Sequence, residues 1–222
     1  MDSPCHRTLG SEVSHPVVAA GSLASTRGVS LGRPSGVVAT GRDRNRVRDV
    51  LGEHDDLLPV ALDITDPDAA RGAVDAAVDT VGAIDVLVNN ADVFYAGYFE
   101  EISPDQFRRQ LETNLFGPLN VTRAVLPVMR AQRRGHVVTI TSTAGLVGVD
   151  FCAAYSASKF ALEGWMESLR TDVEPYGIAT TIVEAGLFRT DLLVEEASTI
   201  WPELSIRTTR NGPRRRSRPG GR

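Results

Sequence analysis

The stretch from Thr139 to Lys159, TITSTAGLVGVDFCAAYSASK, decides how the rest of the chain is read. Its start belongs to the apolar run HVVTI (His136–Ile140), which predicts a buried strand and puts Ser142 at or just past its C-terminal end. Tyr155 comes thirteen residues later and Lys159 four residues after that. Positions i and i+4 share one face of a helix. In open α/β sheets ligands bind outside the C-terminal ends of the strands, so the three polar side chains converge on one crevice. Their chemistry is proton transfer. A free tyrosine, with a pKa of about 10, is a poor acid–base group near neutral pH, and a neighbouring ammonium is expected to favour the phenolate and lower that value. A serine hydroxyl can hold a substrate oxygen as its charge changes. Such a set suits an alcohol or a carbonyl, and the accompanying hydride step needs a cofactor.

Ser142, Tyr155 and Lys159 at this spacing, with VLVNNA (Val86–Ala91) upstream and Asn114 within TNLFG between them, resemble the short-chain dehydrogenase/reductase family. The resemblance covers roughly Val37 to Leu193. It implies a doubly wound parallel α/β sheet of the Rossmann type, here with the first and last units atypical or truncated. It implies an NADP-dependent oxidoreductase interconverting an alcohol and a ketone or aldehyde, a small-molecule substrate. By the resemblance Tyr155 is the acid–base residue, Lys159 lowers its pKa and binds the nicotinamide ribose, Ser142 holds the substrate oxygen, and Asn114 positions a relay water. It also implies a homodimer or homotetramer built on two long helices. The competing reading is a degenerate, non-catalytic homologue that keeps these residues but has lost the glycine-rich cofactor motif.

Composition agrees with one globular unit. The chain has 222 residues, 42% apolar and 23% charged, with a net charge of −4 that points to no particular partner. No apolar run is long enough to span a bilayer, and the first ten residues lack a secretory apolar core, so a cytoplasmic location is expected. Cys5 and Cys152 form no disulfide framework, and none of His6, His15, His54 and His136 has a second ligand at metal-binding spacing, so no metal is expected.

Residues 1–36 differ in character from the rest of the chain. The family opens with a strand, a T-G-x3-G-x-G turn that cradles pyrophosphate, and a helix. Counting back from Arg42, that unit should start near Pro16 and Val17, where the chain reads PVVAAGSL and only Gly21 meets a glycine position. Gly28, Gly32, Pro34 and Gly36 then oppose a helix. Residues 8–36 read as an out-of-frame stretch, the alternative being a divergent N-terminus that still folds, and 207–222, with seven arginines and no acid, as a second out-of-frame stretch and a disordered basic tail. Nothing else in the chain supports nucleic-acid recognition. The Rossmann-type domain is therefore assigned to 37–206.

Within it, VVATG is a strand. Arg42 after it is either a solvated basic helix start or, by the resemblance, the residue that favours the 2′-phosphate of NADP over NAD. Asp63 after LLPVALDIT is a turn or cap residue and, in the family's position, contacts adenine, with Ile64 on the ring. Asp66-Pro67 predicts a helix start, with Ala69–Val81 at helical spacing. Ile84–Val88 predicts a buried strand. The loop after it, with Asn90 and Ala91, runs beside the cofactor ribose in the family. Asp92 replaces a usual glycine, where its side chain is expected to crowd that ribose, and aspartate tolerates left-handed backbone. Pro104–Arg133 predicts one long helix, kinked because Pro118 has no N–H to give the Asn114 carbonyl. A second helix runs on from Tyr155 to Asp172. ATTIVEAG predicts a strand ending near Gly186, and Thr190 is the family's nicotinamide-carboxamide contact. By the resemblance, Leu192–Trp201 is the family's variable helix over the substrate.

Overall fold

The computed structural model describes residues 17–21, 36–186 and 199–200, the first and last of these groups by backbone alone. Among them the chain runs β1 (Val17–Gly21), β2 (Val37–Gly41), α1 (Arg44–Leu51), β3 (Leu57–Ala61), α2 (Pro67–Val81), β4 (Val86–Asn90), β5 (Phe94–Tyr95), α3 (Pro104–Leu111), α4 (Gly117–Gln132), β6 (Gly135–Ser142), α5 (Ala153–Val173), β7 (Ile178–Ala185) and β8 (Thr199–Ile200). Six strands form one sheet in the order β3-β2-β1-β4-β6-β7, each neighbour parallel. The order reverses between β1 and β4, which is the switch point of a doubly wound Rossmann-type sheet.

β1 lies at the centre, Val17 pairing with Val37 on one side and Val86 on the other. Val17–Gly21 therefore forms the strand with the residues as written, which corrects the out-of-frame reading of 8–36 at these positions and the start of the domain at 37: this strand pairs on both sides within the sheet. The glycine turn and helix expected after it fall in 22–35, outside the described residues, as do Thr190 and the basic run 207–222.

Local chemistry sets the other boundaries. Val37–Thr40 are all buried, the pattern of a parallel strand covered on both faces. Asp43 caps α1 by accepting from the Asn45 N–H at 2.8 Å. Asp66 caps α2 in the same way, accepting from Asp68 N–H at 2.8 Å, with Pro67 at the first helical position. Ser103 and Gln106 form a reciprocal capping box at α3. After α5, Gly177 at φ 71° turns the chain into β7, and a Cβ there would meet the Arg133 carbonyl oxygen at 2.5 Å.

Two expectations are corrected. The helix over Pro104–Arg133 is not continuous: Glu112–Phe116 forms a π turn, closed by the Gly117 N–H reaching back five residues to the Glu112 carbonyl. Pro118 cannot donate to Asn114, and the wider turn absorbs that defect. At the other end, Thr199–Ile200 forms a short strand parallel to Phe94–Tyr95 instead of the end of a helix. Two β-branched residues favour that extended pairing. The rest of 192–201 lies outside the described residues.

The main core joins β4 and β6 to α2, α4 and α5 through Leu87, Val137, Val74, Val125, Met129 and Met166. No described helix is long and apolar enough to cross a membrane. Leu87 is fully buried in the central part of the sheet. Leu87→Ala is expected to lower unfolding free energy by about 2–5 kcal/mol, read as an earlier midpoint in denaturant with an unchanged slope.

Candidate active site

Because every strand of the main sheet runs the same way, the C-terminal ends share one edge. Gly21, Arg42, Asp63, Asn90, Ser142 and Gly186 all lie at or just after a strand's end on that edge. Ser142 is the last residue of β6, and its Oγ accepts from the Ala144 N–H at 3.2 Å. Tyr155 and Lys159 lie one turn apart near the start of α5, both buried. The Lys159 ammonium stands 5.3 Å from the centre of the Tyr155 ring and donates to the Ile140 carbonyl at 3.2 Å. The expected convergence of these three side chains is present.

Between them sits a residue whose part the sequence did not reveal. The Asp92 carboxylate accepts from the Tyr155 hydroxyl at 3.1 Å and pairs with the Lys159 ammonium at 3.2 Å, both through Oδ2. Its Oδ1 is buried with no hydrogen-bond partner. The backbone here is not left-handed, since the described non-glycine residues with positive φ are Arg133 and Phe151. Aspartate's tolerance of that conformation is therefore not what admits it.

This bridge reverses the expected electrostatics. Burial pushes the Tyr155 phenol well above its ordinary range, and the Asp92 charge pushes it further. The hydrogen bond with Ser142 works the other way, and the one to Asp92 adds to the rise. The sequence expectation of a lowered tyrosine pKa is thus corrected: the lysine charge is shared with a carboxylate, which also prefers the tyrosine protonated. Burial likewise raises the Asp92 carboxyl above the usual range, against the pull of Lys159. The Tyr155 ring packs edge-on to Phe94, centroids 4.8 Å apart, beside Ala144 and buried Cys152.

The π turn explains how Asp92 is aimed. Gln110 and Asn114 stand four residues apart, both fully buried. Asn114 accepts from the Val93 N–H at 2.8 Å and donates to the Val93 carbonyl at 2.9 Å. Gln110 also donates to that carbonyl and accepts from the Tyr95 N–H at 2.9 Å. Two amides thus clamp residues 93–95, directly after Asp92. Asn114 further donates to Ser158 Oγ at 3.3 Å, which in turn donates to the Tyr155 carbonyl at 2.7 Å. The Asn114 side chain therefore ties the Asp92 loop to the start of α5. The i, i+4 spacing of two amides in an otherwise ordinary helix was the sequence signal for this clamp.

The remaining candidates divide. Arg42 is exposed and close enough to Asp63 for its charge to help lower that carboxyl, whose main stabilisation is two hydrogen bonds from Thr65, side chain then backbone. Ile64 packs into the core against Gly117, with its carbonyl accepting from Asn120 at 3.1 Å, so its side chain is not the free ring platform that the resemblance implied. Asn90 and Ala91 border the crevice at the end of β4, whereas neighbouring Asn89 points inward to Thr122 and Thr139 at 3.0 and 3.2 Å. Gly186 has open space where a Cβ would stand. Among the described residues no cluster of three or more metal-ligating side chains is present.

A parallel sheet with the strand order of a dinucleotide-binding fold, carrying a serine, a tyrosine and a lysine at its open edge, defines an α/β protein of the oxidoreductase type. The family model described as short chain dehydrogenase matches residues 31–201, and the chain belongs to that family. It is 41% identical over 133 residues to dehydrogenase/reductase SDR family member 7B of Bos taurus, covering 60% of this chain and 41% of that protein. A short-chain dehydrogenase from Streptomyces avermitilis superposes with a TM-score of 0.75 at 33% identity, over 86% of this chain and 72% of that one. A 3-ketoacyl-(acyl-carrier-protein) reductase from Brucella melitensis, complexed with NADH, superposes with a TM-score of 0.74 at 25% identity, over 82% and 79%. The chain spans about 40 to 60% of the length of the curated relatives it matches.

Asn114→Ala would remove the acceptor of the half-buried Val93 N–H and one of the two side-chain donors to its carbonyl. The expected result is a stability loss of about 1–3 kcal/mol for the orphaned donor, seen in denaturant unfolding. A loss below that range would show that the clamp is not what holds residues 93–95.

Proposed function

We propose that the protein is an NADP-dependent oxidoreductase that interconverts an alcohol and a ketone or aldehyde, with Tyr155 as its acid–base residue. The observation that carries this reading is the Tyr155 hydroxyl, buried at the open edge of the sheet within one hydrogen-bonded set that includes Ser142, Lys159 and Asp92. A buried phenol beside a serine hydroxyl can hold a carbonyl oxygen with two donors once its single O–H turns from Asp92 to the substrate. Its proton then neutralises the alkoxide that forms there. In the opposite direction the phenolate takes the proton from the alcohol.

The residues fit a nicotinamide dinucleotide. An ammonium has three donors, and Lys159 directs two of its contacts to Ile140 and Asp92. Asp92 Oδ1 is a buried acceptor without a donor. Sugar hydroxyls complement both. At the far end of the crevice Arg42 suits a 2′-phosphate and Asp63 an adenosine group, while Asn90, Ala91 and Gly186 are assigned along the path between; Thr190, outside the described residues, keeps the nicotinamide-carboxamide contact that the resemblance implies. The cofactor supplies the hydride. Asn114 acts in this scheme by holding the Asp92 loop against α5. Self-association is assigned to α4 and α5, where Leu119, Leu126, Pro127 and Trp165 line an open groove of about 380 Å³.

Tyr155→Phe is expected to remove turnover, by at least about a hundredfold, while NADPH still binds with near wild-type affinity in a fluorescence titration. Retention of wild-type turnover would rule out the role given to Tyr155. Arg42→Asp is expected to weaken NADPH binding about tenfold or more, from loss of a charge-assisted phosphate contact, with NADH binding unchanged or stronger. Equal affinities of the variant and the wild type for NADPH would remove Arg42 from the cofactor site.

A further inference from the structure

We propose that Asp92 is a fourth member of the Ser142–Tyr155–Lys159 centre, a positioning residue whose carboxylate bridges the tyrosine hydroxyl and the lysine ammonium and keeps the tyrosine in its phenol form. The inference rests on the reading of Tyr155 as the proton-transfer group, but its test does not use turnover.

One carboxylate oxygen, Oδ2, lies 3.1 Å from the Tyr155 hydroxyl and 3.2 Å from the Lys159 ammonium. A carboxylate accepts only, so the phenol must donate to it. Ionising the tyrosine would break that bond and set two negative oxygens about 3 Å apart in a dry site. The lysine charge that would otherwise stabilise a phenolate is already matched by Asp92. The side chain cannot swing away freely, because the amides of Gln110 and Asn114 fix residues 93–95 beside it. The titratable groups facing the bridge are Tyr155 and Lys159 from α5 and, across the Tyr155 ring, Cys152 ahead of that helix. Ser142 faces it from the end of β6. None of these offers a second cation to release the tyrosine. A phenol gives a proton and a phenolate takes one, so the resting centre is loaded to give.

The test is an ultraviolet titration of phenolate formation in the apo-protein. The chain has four tyrosines, and subtracting the titration of Tyr155→Phe isolates Tyr155. In the wild type, Tyr155 is expected to ionise only above the ordinary tyrosine value of about 10. In Asp92→Asn, which keeps the shape but removes the charge, and in Asp92→Gly, which removes the side chain, its midpoint is expected to fall by at least about one pH unit, a tenfold gain in phenolate at a given pH. A midpoint unmoved in the two variants overturns the proposal. So does a wild-type midpoint below that of free tyrosine, an outcome that needs no Asp92 variant to fold. Loss of turnover in Tyr155→Phe is a separate reading, so failure of the bridge and failure of the acid–base assignment are told apart.

Discussion

The parallel pairing of the strands is the constraint on which the rest of the molecule depends. A parallel sheet cannot use tight hairpins, so each strand is joined to the next by a crossover, here mostly helical. All the strand ends then face one edge, and residues as far apart in sequence as Asp92 and Tyr155, 63 positions, become neighbours there. β1 is the keystone of this arrangement, because it pairs with β2 on one side and β4 on the other. Without it the sheet would be two halves with no shared crevice.

The second level of organisation is polar and buried. Asn89 donates to Thr122 and Thr139, linking β4 to α4 and β6. Asn114 and Gln110 hold the chain just after β4, and Ser158 passes that restraint to the backbone of Tyr155. Buried polar groups of this kind are costly when unpaired and rigid when paired. The network is therefore better understood as a jig for the Asp92 loop than as a source of net stability.

Much of this was legible in the residues and some was not. The strands showed as apolar runs, and the helix start at Asp66-Pro67 showed as a cap, because both signals are local. Ser142, Tyr155 and Lys159 were legible because their spacing fixes them to one strand end and one helix face. Asp92 stood out only as a side chain in place of a glycine. Whether a loop carboxylate crowds a neighbour or bridges two others depends on the backbone, which distant amides set. Ile64 misled for a related reason: the bare Gly117 backbone opposite opened a core pocket for it. The sign of the Tyr155 perturbation misled too, since a lysine four residues away says nothing of the acid that shares it. The central strand at Val17–Gly21 lies where counting back from Arg42 put a first strand, but its residues were read as out of frame because the glycines and proline that follow gave no periodic signal.

The π turn at Glu112–Phe116 carries one more residue than an α-helical turn would. Each residue advances an α-helix by about 100°. A chain shortened by one position there could close a regular helix, but everything beyond would be rotated by that angle, turning Val121, Val125 and Met129 out of the core they fill. Length in this segment is thus fixed from both sides, by the amides that hold the loop and by the apolar stripe beyond the turn. Insertions and deletions, which surface loops absorb with ease, would here act as gear slips, changing which face of the helix meets the sheet while leaving its composition almost untouched.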